Sequence, residues 1–76
     1  MDFVEIMQNK KRELSMSNAQ FAEYIGKHRS WVVALFNPNA KRMILRDATM
    51  YSLHDILDIP FNVMEEYNKH VSESRG

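Results

Sequence analysis

Seventy-six residues, 45% of them hydrophobic and 26% charged, describe one small globular domain and exclude a disordered chain. A domain of this size buries only about 60% of its unfolded surface, so its stability is marginal and a homodimer would supplement it. Zero net charge speaks mildly against a strong polyanion binder, the absence of cysteine excludes a disulfide framework and a thiolate metal site, and two glycines with two prolines leave little for an all-β fold.

Periodicity divides the chain into five short helices, with no internal repeat and no low-complexity tract. Asp2 can cap the first, "FVEIMQNKKREL", where Phe3, Met7, Lys10 and Leu14 follow helical spacing and Ile6 widens the stripe. Lys10, Lys11 and Arg12 lie in its last half, where cations complement the helix dipole and are also compatible with phosphate contact. The second helix opens on a capping box, Ser17 with Gln20, buries Phe21, Ala22 and Ile25, and stops at Gly26, which accepts left-handed geometry. A third helix must start almost at once, at His28 or Arg29. Two helices so close in sequence cannot lie antiparallel; they cross steeply, as in a helix-turn-helix. Asn37-Pro38 ends the third helix, because proline biases the residue before it away from helical geometry.

After the basic connection "AKRMILRD", a fourth helix is predicted from Asp47 to Leu57, with Met50, Leu53, Ile56 and Leu57 on one face. "DIP" breaks it, and Pro60 suits the first turn of a fifth helix that buries Phe61, Met64 and Tyr67. Residues 1–71 thus make a single all-α domain, and the tail 72–76, "SESRG", reads as flexible.

Charge is unevenly shared along this chain. Residues 1–46 hold eight Lys/Arg and four Asp/Glu, a net +4, whereas residues 47–76 hold two and six, a net −4. Such asymmetry points to one basic face, although two solvated helices of opposite sign would produce the same count. At about 100° per residue, the third helix places Val32, Leu35 and Phe36 on one side and Ser30, Ala34 and Asn37 on the other, with Val33 and Trp31 on the flanks. Its outer face is therefore small and mildly polar, with Arg29 at the N-terminal end. A groove of DNA admits such short side chains, whose amide, hydroxyl and apolar surfaces suit base edges, phosphates and thymine methyls.

The run from Asn18 to Pro38, "NAQFAEYIGKHRSWVVALFNP", resembles the helix-turn-helix of the lambda repressor/Cro-like family of phage-type regulators. Ala22, Gly26, Val32 and Leu35 fall at that family's spacing, and "ALFN" is similar to the end of a recognition helix there. The motif, residues 18–37, covers about a quarter of the chain, and the flanking helices match the family's compact five-helix DNA-binding domain. Three residues depart from the pattern: Lys27 follows the turn glycine where a hydrophobic residue is usual, Pro38 replaces a favoured glycine, and Trp31 is larger than the usual occupant.

The resemblance implies a sequence-specific DNA-binding transcriptional regulator, acting on a double-stranded operator as a homodimer in a bacterial cytoplasm. By position, it implies that Asn18 and Arg29 grip phosphate or reach a base, that Ser30, Val33 and Ala34 face bases, and that Asn37 bonds phosphate. His28 could contact either, and Lys41 and Arg42 are phosphate candidates on charge alone. Trp31 either donates its indole N–H to a phosphate or covers the edge of the core. Val63 and Val71 on the fifth helix are the dimer-interface candidates, unless they finish the core. The alternative function is a phage modulator that binds a repressor protein instead of DNA, which zero net charge and the apolar Val33/Ala34 surface would suit.

Other chemistry finds little support. His28, His54 and His70 lack metal-ligand spacing, Glu65 and Glu66 are adjacent and do not face each other on a helix, and no nucleophile–base pair or glycine-rich phosphate loop occurs. Neither an enzyme, a cofactor nor a metal site is expected. The longest apolar run, Trp31 to Phe36, falls far short of the roughly 18 residues of a membrane span, and "MDFVEIMQNKKR" has no signal-peptide core.

Overall fold

Each helix begins and ends on a local signal. The computed structural model describes residues 2–75, the side chain of Arg75 excepted, and holds α1 (Phe3–Glu13), α2 (Asn18–Tyr24), α3 (Arg29–Phe36), α4 (Asp47–Leu57) and α5 (Phe61–Arg75). No strand occurs among the described residues. The Asp2 carboxylate accepts the Glu5 amide at 2.9 Å and starts α1. At α2 the capping box is complete: the Gln20 amide donates to Ser17 Oγ at 3.2 Å, and the Ser17 amide donates to Gln20 Oε1 at 2.9 Å. Arg46 precedes α4 without a side-chain cap; the Asp47 carboxylate in its first turn offers favourable charge to the helix dipole instead.

The ends of α1 and α2 share one device. After α2, the Gly26 amide donates to Glu23 O at 3.2 Å and the Lys27 amide to Ala22 O at 2.8 Å, the paired bonds of a Schellman end. After α1, the Ser15 and Met16 amides do the same to Arg12 O and Lys11 O, at 3.0 and 3.3 Å. Both motifs need a left-handed residue, Gly26 at φ 73° and Ser15 at φ 54°. A Cβ on Gly26 would meet nothing within 4 Å, so only the backbone angle resists a side chain there. Gly26→Ala is therefore expected to lower stability by about 1–2 kcal/mol in urea unfolding. Ser15→Gly should raise it by up to about 1 kcal/mol. An unchanged midpoint for Gly26→Ala would contradict the left-handed turn.

Among the described residues, thirteen buried side chains join all five helices into one core, including Phe3 and Met7 of α1, Phe21 of α2, Val32 and Leu35 of α3, Leu53 of α4 and Met64 of α5. The α2 and α3 helices make the most extensive contact of any pair, with Phe36 stacked on Phe21 at 6.4 Å between ring centroids. Phe3 meets Tyr67 at 4.9 Å, bringing the two ends of the chain together. The radius of gyration, 11.8 Å, matches the roughly 11 Å expected of a compact chain this long.

Four expectations change. Leu14 is 41% exposed, because it is the C-cap of α1 and no longer on its inward stripe, and Ile56 is 38% exposed on the flank of α4. Val71, a candidate for a dimer surface, is buried within its own chain. The helix expected to give way to a flexible tail after residue 71 continues to Arg75, with Ser74 Oγ donating to His70 O at 3.0 Å; Gly76 lies outside the described residues.

The long α3–α4 connection is tied to α5. Asn68 accepts the Leu45 amide at 2.8 Å and donates back to the Leu45 carbonyl at 2.9 Å, while Tyr67 Oη donates to Met43 O at 2.8 Å. These bonds satisfy backbone groups that lie partly buried and outside any helix. They hold the segment that leaves α3.

Candidate nucleic-acid interface

α3 turns Val32 and Leu35 fully inward, and Phe36 half-buried against Phe21, as its periodicity predicts. On the outside, Arg29, Ser30, Val33 and Asn37 are exposed, and Trp31 and Ala34 are half-buried. The outward face thus has one cation at its start, a hydroxyl, a bare isopropyl group and a terminal amide. No Glu or Lys lies within α3, an unusual composition for a helix surface that only meets water.

Both ends of this face are fixed by side chains from within it. His28 is the N-cap: its Nδ1 accepts the Ser30 amide at 3.2 Å and lies 2.9 Å from Ser30 Oγ. The α3 C-cap is Asn37, whose side-chain oxygen accepts the Asn39 amide at 2.9 Å and turns the chain at Pro38. That bond leaves the Asn37 amide NH2 group as a donor at the helix exit.

Trp31 packs against the core edge, and Lys27 Nζ lies over its ring at 5.3 Å from the centroid. The ammonium is attracted to the negative face of the indole. This explains how a lysine occupies the position after the turn glycine: its stem lies beside an aromatic surface that a smaller third-helix residue would not provide. Asn18 is the first residue of α2 and is half-buried.

Lys41 and Arg42 do not behave alike. Both line an open groove of about 1100 Å³ between the first turn of α1 and α5, whose walls include Val4, Val63, Glu66 and His70. Arg42 also reaches back to α3, donating from Nη1 to the Leu35 carbonyl at 2.8 Å. Leu35 is in the last turn of α3, where a carbonyl lacks an intrahelical partner and attracts a cation. Arg42 is thus a structural cap as well as a phosphate candidate, while Lys41 is exposed. Arg42→Ala is expected to cost about 1.5–3 kcal/mol in urea unfolding, the range for a hydrogen bond to a charged donor. Lys41→Ala should stay within about 0.5 kcal/mol of the parent. Equal midpoints for the two variants would remove the cap.

Sequence reasoning did not identify Arg42 as a clasp or Asn68 as a tether, because each acts on backbone brought near by the fold, and it did not identify His28 as a cap although the amide it accepts lies only two residues along the chain. A hint existed at His28 alone, where an Nδ1 acceptor stands in the N-cap position normally held by Ser, Thr, Asp or Asn. Among the described residues, no group of three His, Asp or Glu side chains is placed to hold a metal ion, and no helix is long and apolar enough to cross a membrane. Comparison with known protein families, curated proteins and solved structures finds no significant match.

Proposed function

We propose that this chain is a sequence-specific DNA-binding regulator of transcription. In this reading the five helices have the lambda repressor/Cro-like arrangement, with α2 and α3 as its helix-turn-helix. The observation that carries it is the exposed face of α3, where Arg29, Ser30, Val33 and Asn37 stand outward and no Glu or Lys interrupts them. The Schellman turn at Gly26 and the packing of α2 under α3 support the same reading, because they hold α3 rigidly on a scaffold of its own chain.

α3 would enter the major groove of an operator. Arg29 and the Asn37 amide would bond phosphates at the two ends of the helix and set its register, while side chains between them meet bases. Phosphate contacts by the basic residues 1–46 would supply most of the affinity and make it salt-dependent. One such domain makes few base contacts, so a homodimer on a two-fold operator is proposed, with Val63 beside the α1–α5 groove as its remaining apolar candidate. The setting would be the cytoplasm of a bacterial host, and the sequence likeness suggests a phage repressor or Cro-type protein.

The test is binding of the whole chain to duplex fragments from its own genomic neighbourhood, at low and then rising salt. A preferred fragment and affinity that falls with salt support the proposal. A second reading is favoured by Tyr24, 44% exposed, and Val33, 40% exposed, both apolar and both on the α2–α3 unit. A protein partner, such as a repressor, would bury them. Failure to bind any fragment at low salt, with capture of a repressor encoded nearby, would select that reading.

A further inference from the structure

The surface shared by α4 and α5 carries aromatic side chains that the core leaves outside. Tyr51 is 63% exposed, the highest value among the described large hydrophobic residues. Its ring meets Phe61 edge-on, with 5.3 Å between centroids. Phe61 is half-buried and also stacks on His54 at 4.3 Å. His54 is held in turn by a 3.0 Å hydrogen bond between its Nδ1 and the Ile59 carbonyl. These contacts fix the rings before anything binds to them.

Tyr51 and Phe61 line an open notch of about 360 Å³ together with Met50, Asp47 and Glu65. Asp47 lies four residues before Tyr51 on α4, and Glu65 four residues after Phe61 on α5, so each carboxylate shares a helix face with a ring. Both carboxylates are exposed. Among the described residues neither makes an ion pair or a side-chain hydrogen bond, although Lys69 is one turn from Glu65. No described cation lines the notch.

Aromatic faces and carboxylates attract the same kind of group, a cation. Phosphate is repelled here, since residues 47–76 hold six Asp/Glu against two Lys/Arg, a net −4. Charge therefore separates this surface from one that meets DNA and selects a basic occupant. A guanidinium fits both parts of the notch: it is planar and weakly hydrated, it stacks on rings, and its fork of N–H donors matches carboxylates. The notch is open and has room for one side chain, which suits a residue presented on another protein.

Independently of the DNA-binding reading, we propose that this α4–α5 notch docks a partner protein, which places an arginine side chain against Tyr51 and Phe61 and between the carboxylates of Asp47 and Glu65.

The probes are three short peptides that differ at one position, carrying arginine, lysine or citrulline, the last an uncharged analogue of arginine. Each is titrated at low salt into the intact ¹⁵N-labelled chain, and amide shifts are followed. The arginine peptide should shift amides around Tyr51 and Phe61, and bind about tenfold more tightly than the citrulline peptide, because charge-assisted hydrogen bonds outweigh neutral ones. The lysine peptide should fall between them. Tyr51→Ala, at an exposed site, should keep the parent's far-UV helix signal and weaken arginine binding by about twofold to tenfold, the usual worth of one cation–ring contact. Asp47→Asn with Glu65→Gln should remove the preference over citrulline. The proposal is wrong if the arginine peptide causes no shifts, shifts only amides elsewhere, or binds no better than citrulline. Unchanged affinity in Tyr51→Ala would reduce the contact to general charge attraction and overturn it too. Shifts at Tyr51 and Phe61 that grow with protein concentration alone would assign the notch to a second copy of this chain instead.

Discussion

Phe21→Ala removes a large share of the folding stability of this chain, about 3–5 kcal/mol in urea unfolding. The Phe21 ring is completely buried, stacks on Phe36 at 6.4 Å and fills the contact between α2 and α3. Truncating such a ring costs about 3–5 kcal/mol, through lost transfer energy and the cavity left behind. A chain this long has a total stability of roughly 4–11 kcal/mol, from about 0.05–0.15 kcal/mol per residue. One substitution therefore removes a large share of the whole. The check is far-UV circular dichroism with urea titration. Tyr24→Ala, on the same helix and 44% exposed, serves as the control and should stay within about 0.5 kcal/mol of the parent. A cooperative transition with less than about 1 kcal/mol lost in Phe21→Ala would show that α2 and α3 do not depend on that ring.

The second large effect is electrostatic. If roughly four or five cations per chain meet phosphates, raising salt from about 50 to 200 mM should weaken binding by about 10²–10³-fold for each chain on the operator, about 10⁴–10⁵-fold for a homodimer, since log affinity falls by about 0.9 per contact for each decade of salt. Arg29→Ala should lower the magnitude of that slope by about 1 per chain and weaken binding at every sequence. Arg42→Ala provides the contrast. Its guanidinium donates to the Leu35 carbonyl, so its removal should register in the urea midpoint more than in the salt slope. Isothermal or fluorescence titrations at four salt concentrations measure both. An Arg29→Ala slope identical to the parent's would remove Arg29 from the phosphate contacts.

The helix boundaries were legible because their causes are local. Asp2, Ser17 with Gln20, Gly26 and Pro38 act within a few residues of themselves, and the structure places each where its chemistry predicts. Helical spacing likewise identified Val32 and Leu35 as core. It misplaced Leu14 and Ile56, because periodicity assigns a face but not whether another element covers it. Val71 shows the same point in reverse: an apolar residue late in α5 is closed over by the fold, and no neighbour in sequence announces that. For the proposed interface, composition and spacing were enough to single out the outer face of α3. They could not separate Ser30 from Val33, since the contact of Ser30 Oγ with His28 Nδ1 depends on a histidine rotamer. Lys41 and Arg42 looked alike for a similar reason: the distinction is a carbonyl seven residues away from Arg42, at the far end of another element.

The tether from Asn68 to Leu45 has a kinetic consequence. The Leu45 amide lies outside any helix, and its acceptor belongs to α5, 23 residues further along the chain. Its proton can exchange with deuterated solvent only when Asn68 lets go. Amides inside α3 answer to the opening of α3 itself, through their own intrahelical bonds. Comparing protection at Leu45 with protection in α3 thus measures, in one experiment, whether the carboxy-terminal helix detaches while the helix proposed to meet DNA stays formed. Equal protection would mean that the two open together, as a single cooperative unit.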